Sequence, residues 1–273
     1  LLNNFFVGAR FFAPLFLFGF FSTATAQAEN AYLSELIESA REKELSKRVS
    51  WHFLLHYKKN IVFSGVTSHV DDPSFFLAPD GKTNPETELE QTLASFFSKK
   101  IETEKTQNPQ CKFIARYRWL KKQLNFDSEK LPEQDCKRFQ DWKTALGAKS
   151  LTLIFPTSYL NNPASMFGHT FIRIDSGEED LLSYSANYAA ETGRDGGVTF
   201  ALKGLLGGYH GFFSIVPFYE QVITYSDLEH RDIWEYQLNF SAEEIDRLVR
   251  HLWELRNTYF EYYFFDENCS YHL

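Results

Sequence analysis

The spacing of apolar residues predicts helices in the first half of the chain. Between positions 30 and 49, Leu33 and Leu36 belong to an apolar set that recurs at helical intervals among charged residues. The same spacing, with acidic residues in the first turn, predicts a helix over 85–99, and a further helix is predicted over 112–124. The first half therefore has a helical pattern.

The pattern changes near residue 150. Residues 150–155 form a short β-like run, and 168–175 and 181–189 alternate between apolar and polar positions on either side of a polar turn. These last two segments predict an antiparallel hairpin, and 233–238 alternates in the same way. The second half is therefore expected to contain an antiparallel sheet.

Two further segments of the second half carry distinct local signals. Ser241 and Glu244 form a capping box at the start of an amphipathic stretch, which predicts a helix over 241–257. Residues 196–211 are rich in glycine. Within them, 203–211 follows no phosphate-binding pattern, and an ordinary loop is favoured there over a mobile lid. The chain is predicted to be α+β, with a helical region (29–149) packed on a sheet-containing region (150–273).

The first 28 residues have the features of a secretory signal peptide. Arg10 precedes an apolar run over Phe11–Phe21, and an Ala-x-Ala sequence ends at Ala28. The alternative is an uncleaved anchor, but a membrane span needs about 20 apolar residues and this run is shorter. We therefore expect residues 1–28 to be removed. Because the sequence begins without Met and ends inside a predicted helix, we also expect a piece of a longer protein.

Charge and composition narrow the class of function. The net charge of −8 argues against a nucleic-acid-binding protein, which usually presents a basic face. Aromatic residues make up 17% of the chain. Such a content indicates either a highly aromatic core or aromatic side chains displayed to lipid or another apolar partner.

The three cysteines predict one disulfide and one free thiol. Cys111 and Cys136 lie 25 positions apart in the helical region and are natural partners in an exported protein. Cys269 then remains unpaired. It is either a reactive thiol, a bridge to another molecule, or an inert buried side chain.

The sequence around Cys269 favours a reactive thiol. Asn268 is a good helix N-cap, which would place Cys269 in a first helical turn, where the helix dipole and free backbone N–H groups favour the thiolate. Asp266 and Glu267 act in the opposite direction, because nearby negative charges disfavour a thiolate.

A thiolate nucleophile needs a base, and His169 is the candidate among the eight histidines. It opens an apolar strand directly after Gly168, which allows the close approach of a substrate or another backbone. By position alone, a buried structural histidine is equally compatible. His52 and His56 have the spacing of a metal pair but no third ligand nearby, so no metal is predicted. His251 is predicted on the exposed side of its helix.

Two of these motifs resemble a known class of enzyme. The Asn268-Cys269-x-x-His272 sequence, together with Gly168-His169 at the head of an earlier strand, resembles the circularly permuted papain-like thiol enzymes of the lecithin:retinol acyltransferase type. The resemblance implies an NlpC-like antiparallel sheet with the nucleophile at a helix N-terminus. This chain departs from that class at Ser270 and Tyr271, where the class has Glu before the histidine.

A second resemblance extends over most of the chain. The motifs that carry it are Cys111–Leu120, Ser158–Thr170, Asn187–Glu191, Gly207–Tyr209 and Trp234–Tyr236. With these motifs, the sequence is similar to the N-terminal periplasmic domain of the Lnb-type bacterial lipoprotein N-acyltransferases.

The Lnb resemblance implies a cysteine-dependent acyltransferase in the periplasm at the inner membrane. A membrane phospholipid would donate a fatty acyl group, and the α-amine of a lipidated N-terminal cysteine of a lipoprotein would accept it. No cofactor or nucleic acid is implied. In that family, membrane-spanning segments follow the periplasmic domain, so membrane association is expected beyond residue 273.

Site residues follow from the motifs and the predicted hairpin. Cys269 is the predicted nucleophile and His169 its base. Strand pairing places residues 185–187 opposite His169, and Asn187 is preferred over Ser185 as the orienting residue. Three residues within the Lnb motifs are predicted to bind substrate: Ser165, Gly168 and Tyr209.

Two other functions remain open at this point. An NlpC-type cell-wall cysteine amidase or peptidase would use the same Cys–His pair on an amide, and a polar, open cleft would favour it. A non-enzymatic envelope domain would use Cys269 as a bridge to a partner. An apolar site that reaches the membrane would favour acyl transfer.

Overall fold

The computed structural model is an α+β protein and describes residues 18–61, 64–103, 106–157, 169–177, 179–193, 197–228 and 230–273. Its ten described α-helices are α1 (Phe18–Glu42), α2 (Val49–Leu54), α3 (Pro85–Ser95), α4 (Pro109–Lys112), α5 (Ile114–Leu124), α6 (Lys137–Leu146), α7 (Gly197–Leu206), α8 (Phe218–Val222), α9 (Ala242–Leu255) and α10 (Cys269–His272). The described strands are β1 (Tyr57–Lys59), β2 (Val66–Ser68), β3 (Ser150–Pro156), β4 (Phe171–Asp175), β5 (Tyr184–Glu191), β6 (Tyr209–Pro217), β7 (Ile233–Leu238) and β8 (Tyr259–Tyr262).

The central element is a six-stranded antiparallel sheet. Its strand order is β7-β3-β4-β5-β6-β8, and β1 and β2 form a separate two-stranded ribbon. The predicted hairpin is β4–β5, in which Ile172 lies opposite Ala186 and Arg173 opposite Ser185. This register places the head of β4 beside the middle of β5.

Local capping signals explain where several helices begin. The Asn84 side chain accepts hydrogen bonds from the N–H groups of Glu86 and Thr87 at the start of α3. The predicted capping box of Ser241 and Glu244 is present at the start of α9. The helix predicted over 30–49 is interrupted, because Glu44 has a left-handed backbone with φ +50°. A 3-10 turn and α2 follow the interruption.

One hydrophobic core joins the helical region and the sheet. Leu36 of α1, Leu120 of α5, Ile174 of β4 and Leu252 of α9 are each at most 3% exposed and belong to the same buried cluster. The predicted disulfide is confirmed: Cys111 and Cys136 are bonded at an S–S distance of 2.03 Å. The domain boundaries drawn at residues 28 and 149 stay predictions.

A fully buried ionic cluster crosses between the two regions. The Arg116 guanidinium lies 2.9 Å from Glu88 Oε1 and 3.1 Å from Glu254 Oε2, and all three side chains are inaccessible to solvent. The third guanidinium nitrogen of Arg116, Nη2, donates to the Phe75 carbonyl at 2.9 Å. We call Arg116, Glu88 and Glu254 the Arg116 cluster. Because Glu254 is on α9 and Glu88 is on α3, the cluster ties the sheet region to the helical region.

The glycine-rich segment is not the loop that its composition predicted. It forms α7 and the start of β6. Glycine is required at Gly204, where a Cβ would overlap the ring of Phe264, and at Gly207, which has φ +80°. Composition was misleading here because these glycines allow close packing against aromatic rings rather than chain flexibility.

The beginning of the described chain is helical. α1 starts at Phe18 and continues past Ala28, where cleavage was predicted. The signal peptide stays a prediction. Among the described residues, no helix has both the length and the apolar character needed to cross a membrane.

Candidate functional site

Cys269 is the first residue of α10 and the free cysteine of the described chain. The Asn268 side chain caps this helix by accepting the Ser270 N–H at 3.1 Å. Cys269 is 8% exposed, so its thiol lies just below the surface. The local sequence Asn-Cys-Ser therefore starts a helical turn that holds the cysteine inward.

His169 and Asn187 are brought together by the β4–β5 pairing. His169 lies two residues before β4, and its Nε2 is 2.6 Å from Asn187 Oδ1 on β5. The Ser185 hydroxyl instead donates to the Val216 carbonyl at 3.2 Å. Because Asn187 Oδ1 accepts from Nε2–H, Nδ1 is the ring nitrogen that remains available as a proton acceptor.

The thiol of Cys269 is surrounded by groups that favour its ionised form. Burial by itself would raise the thiol pKa, but the hydrogen bond and charge of His169 lower it below its usual value. The Thr170 N–H and the Ser270 side chain act in the same direction. The Thr170 and Ser270 hydroxyl oxygens also lie 3.2 Å apart, which links the head of β4 to α10.

A tyrosine completes the immediate surroundings of the thiol. Tyr262 lies beside Cys269 and interacts with both the side chain and the backbone of that residue. Burial, followed by the Cys269 charge, raises the pKa of Tyr262, so this phenol stays protonated at neutral pH. A hydroxyl donor therefore stands beside the Cys269 backbone N–H.

The two acidic residues before the site differ in their surroundings. Asp266 is exposed, whereas Glu267 is 8% exposed. Glu267 Oε1 lies 2.8 Å from Lys58 Nζ and 2.8 Å from His69 Nδ1. Burial alone would raise the pKa of Glu267, but these two contacts hold it at about 2. The negative charge that was expected to oppose the thiolate is therefore compensated.

A group of histidines packs behind α10. His56 Nε2 lies 2.9 Å from His251 Nε2, and the His272 ring packs 4.6 Å from the Tyr188 ring. Burial lowers the pKa of His251 and of His272 to about 4, so both rings are neutral at pH 7. The prediction that His251 lies on the exposed face was wrong, because its ring stacks on that of His56, in the segment between α2 and β1. Within the described ranges, no group of side chains has an arrangement that could hold a metal ion.

Only one of the three predicted substrate-binding residues belongs to the described part of the chain. Ser165 and Gly168 lie outside the described residues. Tyr209 is 4% exposed, and its ring lies 5.9 Å from that of Phe200 on α7 with Lys203 over its face. A substrate would reach Tyr209 only if α7 moved, and its role stays a prediction.

A groove of about 690 Å³ lies away from this site, and residues of α2, α5 and α9 line it. None of Cys269, His169 and Asn187 borders it. A much smaller cavity of about 40 Å³ lies behind α10 and touches His56, His251 and His272. The chemistry of the site, rather than groove size, thus marks the candidate centre.

Several residues of this site had no signal in the sequence. Lys58 and His69 come from the helical region, some 200 positions before Glu267, and are ordinary polar residues in their local segments. Tyr262 is one of several aromatic residues shortly before Asn268, and nothing in the sequence distinguishes it from its neighbours. Their placement depends on the packing of β8 against the segment after β2, which no periodic pattern reveals.

Comparison with known families gives two matches. Residues 138–273 match the Lnb N-terminal periplasmic domain, and residues 43–123 match a domain of unknown function, DUF7843. No curated protein and no solved structure matches the chain. The first match includes Cys269, His169 and Asn187, and agrees with the resemblance found from the motifs. Residues 138–273 of this chain therefore belong to the Lnb N-terminal periplasmic domain family.

Proposed function

We propose that this protein is a lipoprotein N-acyltransferase that uses Cys269 as its nucleophile. The observation that carries the proposal is the contact of a buried, pKa-lowered thiol with His169, which Asn187 orients at 2.6 Å, within an Lnb periplasmic domain. This arrangement of nucleophile, base and orienting amide is that of a papain-like thiol enzyme. The order in the chain, with His169 before Cys269, is that of the permuted class.

The first half of the reaction forms a thioester. His169 takes the thiol proton, and the Cys269 thiolate attacks the ester carbonyl carbon of a membrane phospholipid. The Cys269 N–H and the Tyr262 hydroxyl donate to the resulting oxyanion. The ester C–O bond then breaks, the leaving lysophospholipid oxygen takes the proton from His169, and the acyl group stays on sulfur.

The second half transfers the acyl group to an amine. The α-amine of the lipidated N-terminal cysteine of a lipoprotein attacks the thioester, while His169 takes a proton from the amine. The C–S bond breaks as the amide forms, and the proton passes from His169 to the Cys269 sulfur. Water must be kept out, because hydrolysis would compete with the amine for the thioester.

An exposed apolar surface beside the site supports a lipid substrate over a cell-wall peptide. Four aliphatic side chains of α7 and the Phe265 ring are each at least 47% exposed; they are Val198, Leu202, Leu205, Leu206 and Phe265. Phe264 connects this surface to the site, since its N–H donates to the Gly204 carbonyl and its carbonyl accepts from the N-cap Asn268. Apolar patches of this kind mark membrane or partner contacts. We place the phospholipid donor here, at the periplasmic face of the inner membrane.

The decisive experiment is detection of the acyl-enzyme. The full-length protein is incubated with phospholipid vesicles, quenched in acid, and analysed by intact mass and peptide mapping. We expect a fatty-acyl adduct on Cys269 that hydroxylamine removes and that is absent from Cys269→Ala and His169→Ala. A diacylglyceryl-cysteine peptide should then discharge the adduct as an amide.

Two results would favour the other functions. A Cys269→Ala variant that retains full function in cells, with Cys269 bridged to another protein in the wild type, would support a non-enzymatic envelope domain. Cleavage of cell-wall peptides without an acyl adduct would support a cysteine amidase.

A further inference from the structure

Contacts with other parts of the molecule hold α10, the helical turn that begins at Cys269. Some are packing contacts, such as that of the His272 ring 4.7 Å from the Phe260 ring.

One imidazole from the helical region contacts the chain on both sides of Cys269. His69 Nδ1 lies 2.8 Å from Glu267 Oε1, and His69 Nε2 lies 2.9 Å from the Tyr271 hydroxyl. Glu267 and Tyr271 are two positions before and two positions after Cys269. His69 is 8% exposed, so water does not readily replace these contacts.

Lys58 contributes charge to the same group. Its Nζ also lies 2.8 Å from Glu267 Oε1. Without a cation nearby, a buried carboxylate two residues before the nucleophile would disfavour the thiolate. We call Lys58, His69, Glu267 and Tyr271 the Glu267 cluster.

The segment that carries His69 also holds the strand before α10. Val70 forms a β-bridge with Phe260 of β8. The N–H groups of Asp71 and Asp72 donate to the Tyr259 carbonyl, and the Glu261 N–H donates to Asp71 Oδ2 at 2.6 Å. The helical region therefore fixes both β8 and α10, the two elements that bring Tyr262 and Cys269 together.

We propose that His69 and Lys58 are positioning residues for Cys269, and that residues 43–123, the match to DUF7843, serve to hold the nucleophile of the adjoining Lnb domain. His69 sets the orientation of α10 through its two contacts, and Lys58 compensates the charge of Glu267. This inference rests on the proposed role of Cys269 as nucleophile.

The test measures the reactivity of the thiol itself. Cys269 is alkylated with iodoacetamide in the purified protein across a pH series, with the disulfide intact, and thermal unfolding is recorded in parallel. We expect His69→Ala to lower the alkylation rate at pH 7 about tenfold and to raise the pH at which this rate is half of its maximum. Lys58→Met should raise the same midpoint and lower the alkylation rate about threefold.

A double variant separates positioning from general destabilisation. Tyr271→Phe removes one hydroxyl from a half-exposed residue and should lower the rate about threefold without changing the unfolding temperature. Because His69 already holds that hydroxyl, adding Tyr271→Phe to His69→Ala should cause no further loss. The matched control is Lys122→Ala, which breaks an exposed ion pair with Glu243 between the same two regions and should leave the pH profile unchanged.

The inference fails if Tyr271→Phe and Lys58→Met both retain the wild-type alkylation rate and pH profile, or if Lys122→Ala changes them equally. Failure of the proposed function gives a different result. A wild-type protein that shows these dependences in alkylation but takes no acyl group from vesicles would overturn acyl transfer and leave the positioning role supported.

Discussion

Two ionic clusters join the helical region to the sheet region, and they differ in burial and in connection to the site. The Arg116 cluster is inaccessible to solvent, and its charges are satisfied by each other and by backbone groups. The Glu267 cluster lies nearer the surface, with the Lys58 side chain 49% exposed. It borders the thiol rather than the core. From this difference we expect the same interface to contribute stability through the Arg116 cluster and thiol reactivity through the Glu267 cluster.

The largest expected effect comes from breaking the Arg116 cluster. Arg116→Ala leaves two buried carboxylates without their cation, and removal of one partner from a buried ion pair costs about 3–5 kcal/mol. We expect the free energy of unfolding in urea to fall by that amount. Arg118→Ala, on the same helix in a partly exposed pair with Glu133, is the control. Equal stability of the two variants would contradict the stabilising role of the Arg116 cluster.

Acid should destabilise the protein through the histidines behind α10. His251 and His272 have pKa values of about 4 in the folded protein, below the usual 6.5, because burial disfavours the charged ring. Above pH 6.5 the two histidines are neutral in both the folded and the unfolded protein, so their contribution to the free energy of unfolding is fully present. As the pH falls from 6.5 toward 4, the unfolded chain binds protons first, and each histidine lowers the free energy of unfolding by up to about 1.4 kcal/mol per pH unit.

Urea unfolding of His251→Gln at pH 7.5 and pH 5 isolates this effect. The variant should lose less stability than the wild type between the two pH values, whatever its stability at pH 7.5. An equal loss in both proteins would show that His251 does not carry the acid dependence.

A change at the site should alter rate rather than stability. Asn187→Ala removes the acceptor that orients the His169 ring, and loss of one such hydrogen bond costs about 1–3 kcal/mol. We expect acyl-thioester formation to slow roughly 10- to 100-fold, which mass analysis of quenched time points measures. Ser185→Ala, which loses only a bond to the Val216 carbonyl, is the matched control. A slower reaction in Ser185→Ala would favour Ser185 as the orienting residue.

The smallest effect is expected at an exposed contact between the same two regions. Lys122 and Glu243 form an ion pair at 3.0 Å with side chains 73% and 69% exposed. Solvent and salt screen such pairs. Lys122→Ala should therefore leave the thermal unfolding midpoint within the error of a calorimetric scan. A clear decrease would show that surface contacts also hold the two regions together.

Local sequence signals predicted much of the secondary structure. The capping box of Ser241 and Glu244 starts α9, and the alternation over 168–189 corresponds to the β4–β5 hairpin. The Cys111–Cys136 disulfide followed from cysteine count and export. These features depend on neighbouring residues or on a small number of possible pairings, so the sequence is sufficient to find them.

The errors share a physical cause. The glycines of 203–211 predict a loop, whereas Gly204 provides room for the Phe264 ring against a helix. His251 was assigned to solvent, whereas it meets His56 from a distant segment. In each case the deciding neighbour is remote in sequence, and local composition contains no information about it.

The sequence alone determined the α+β class, the candidate pair Cys269 and His169, and the choice of Asn187 beside it, because motifs and strand alternation are local properties. Only the tertiary structure decided what surrounds the thiol. The charge of Glu267, expected to oppose the thiolate, is compensated by Lys58, and His69 contacts the same carboxylate; both residues are more than 190 positions away along the chain. The reason is that electrostatics depends on distances in space, and those distances are set by the packing of one region on the other.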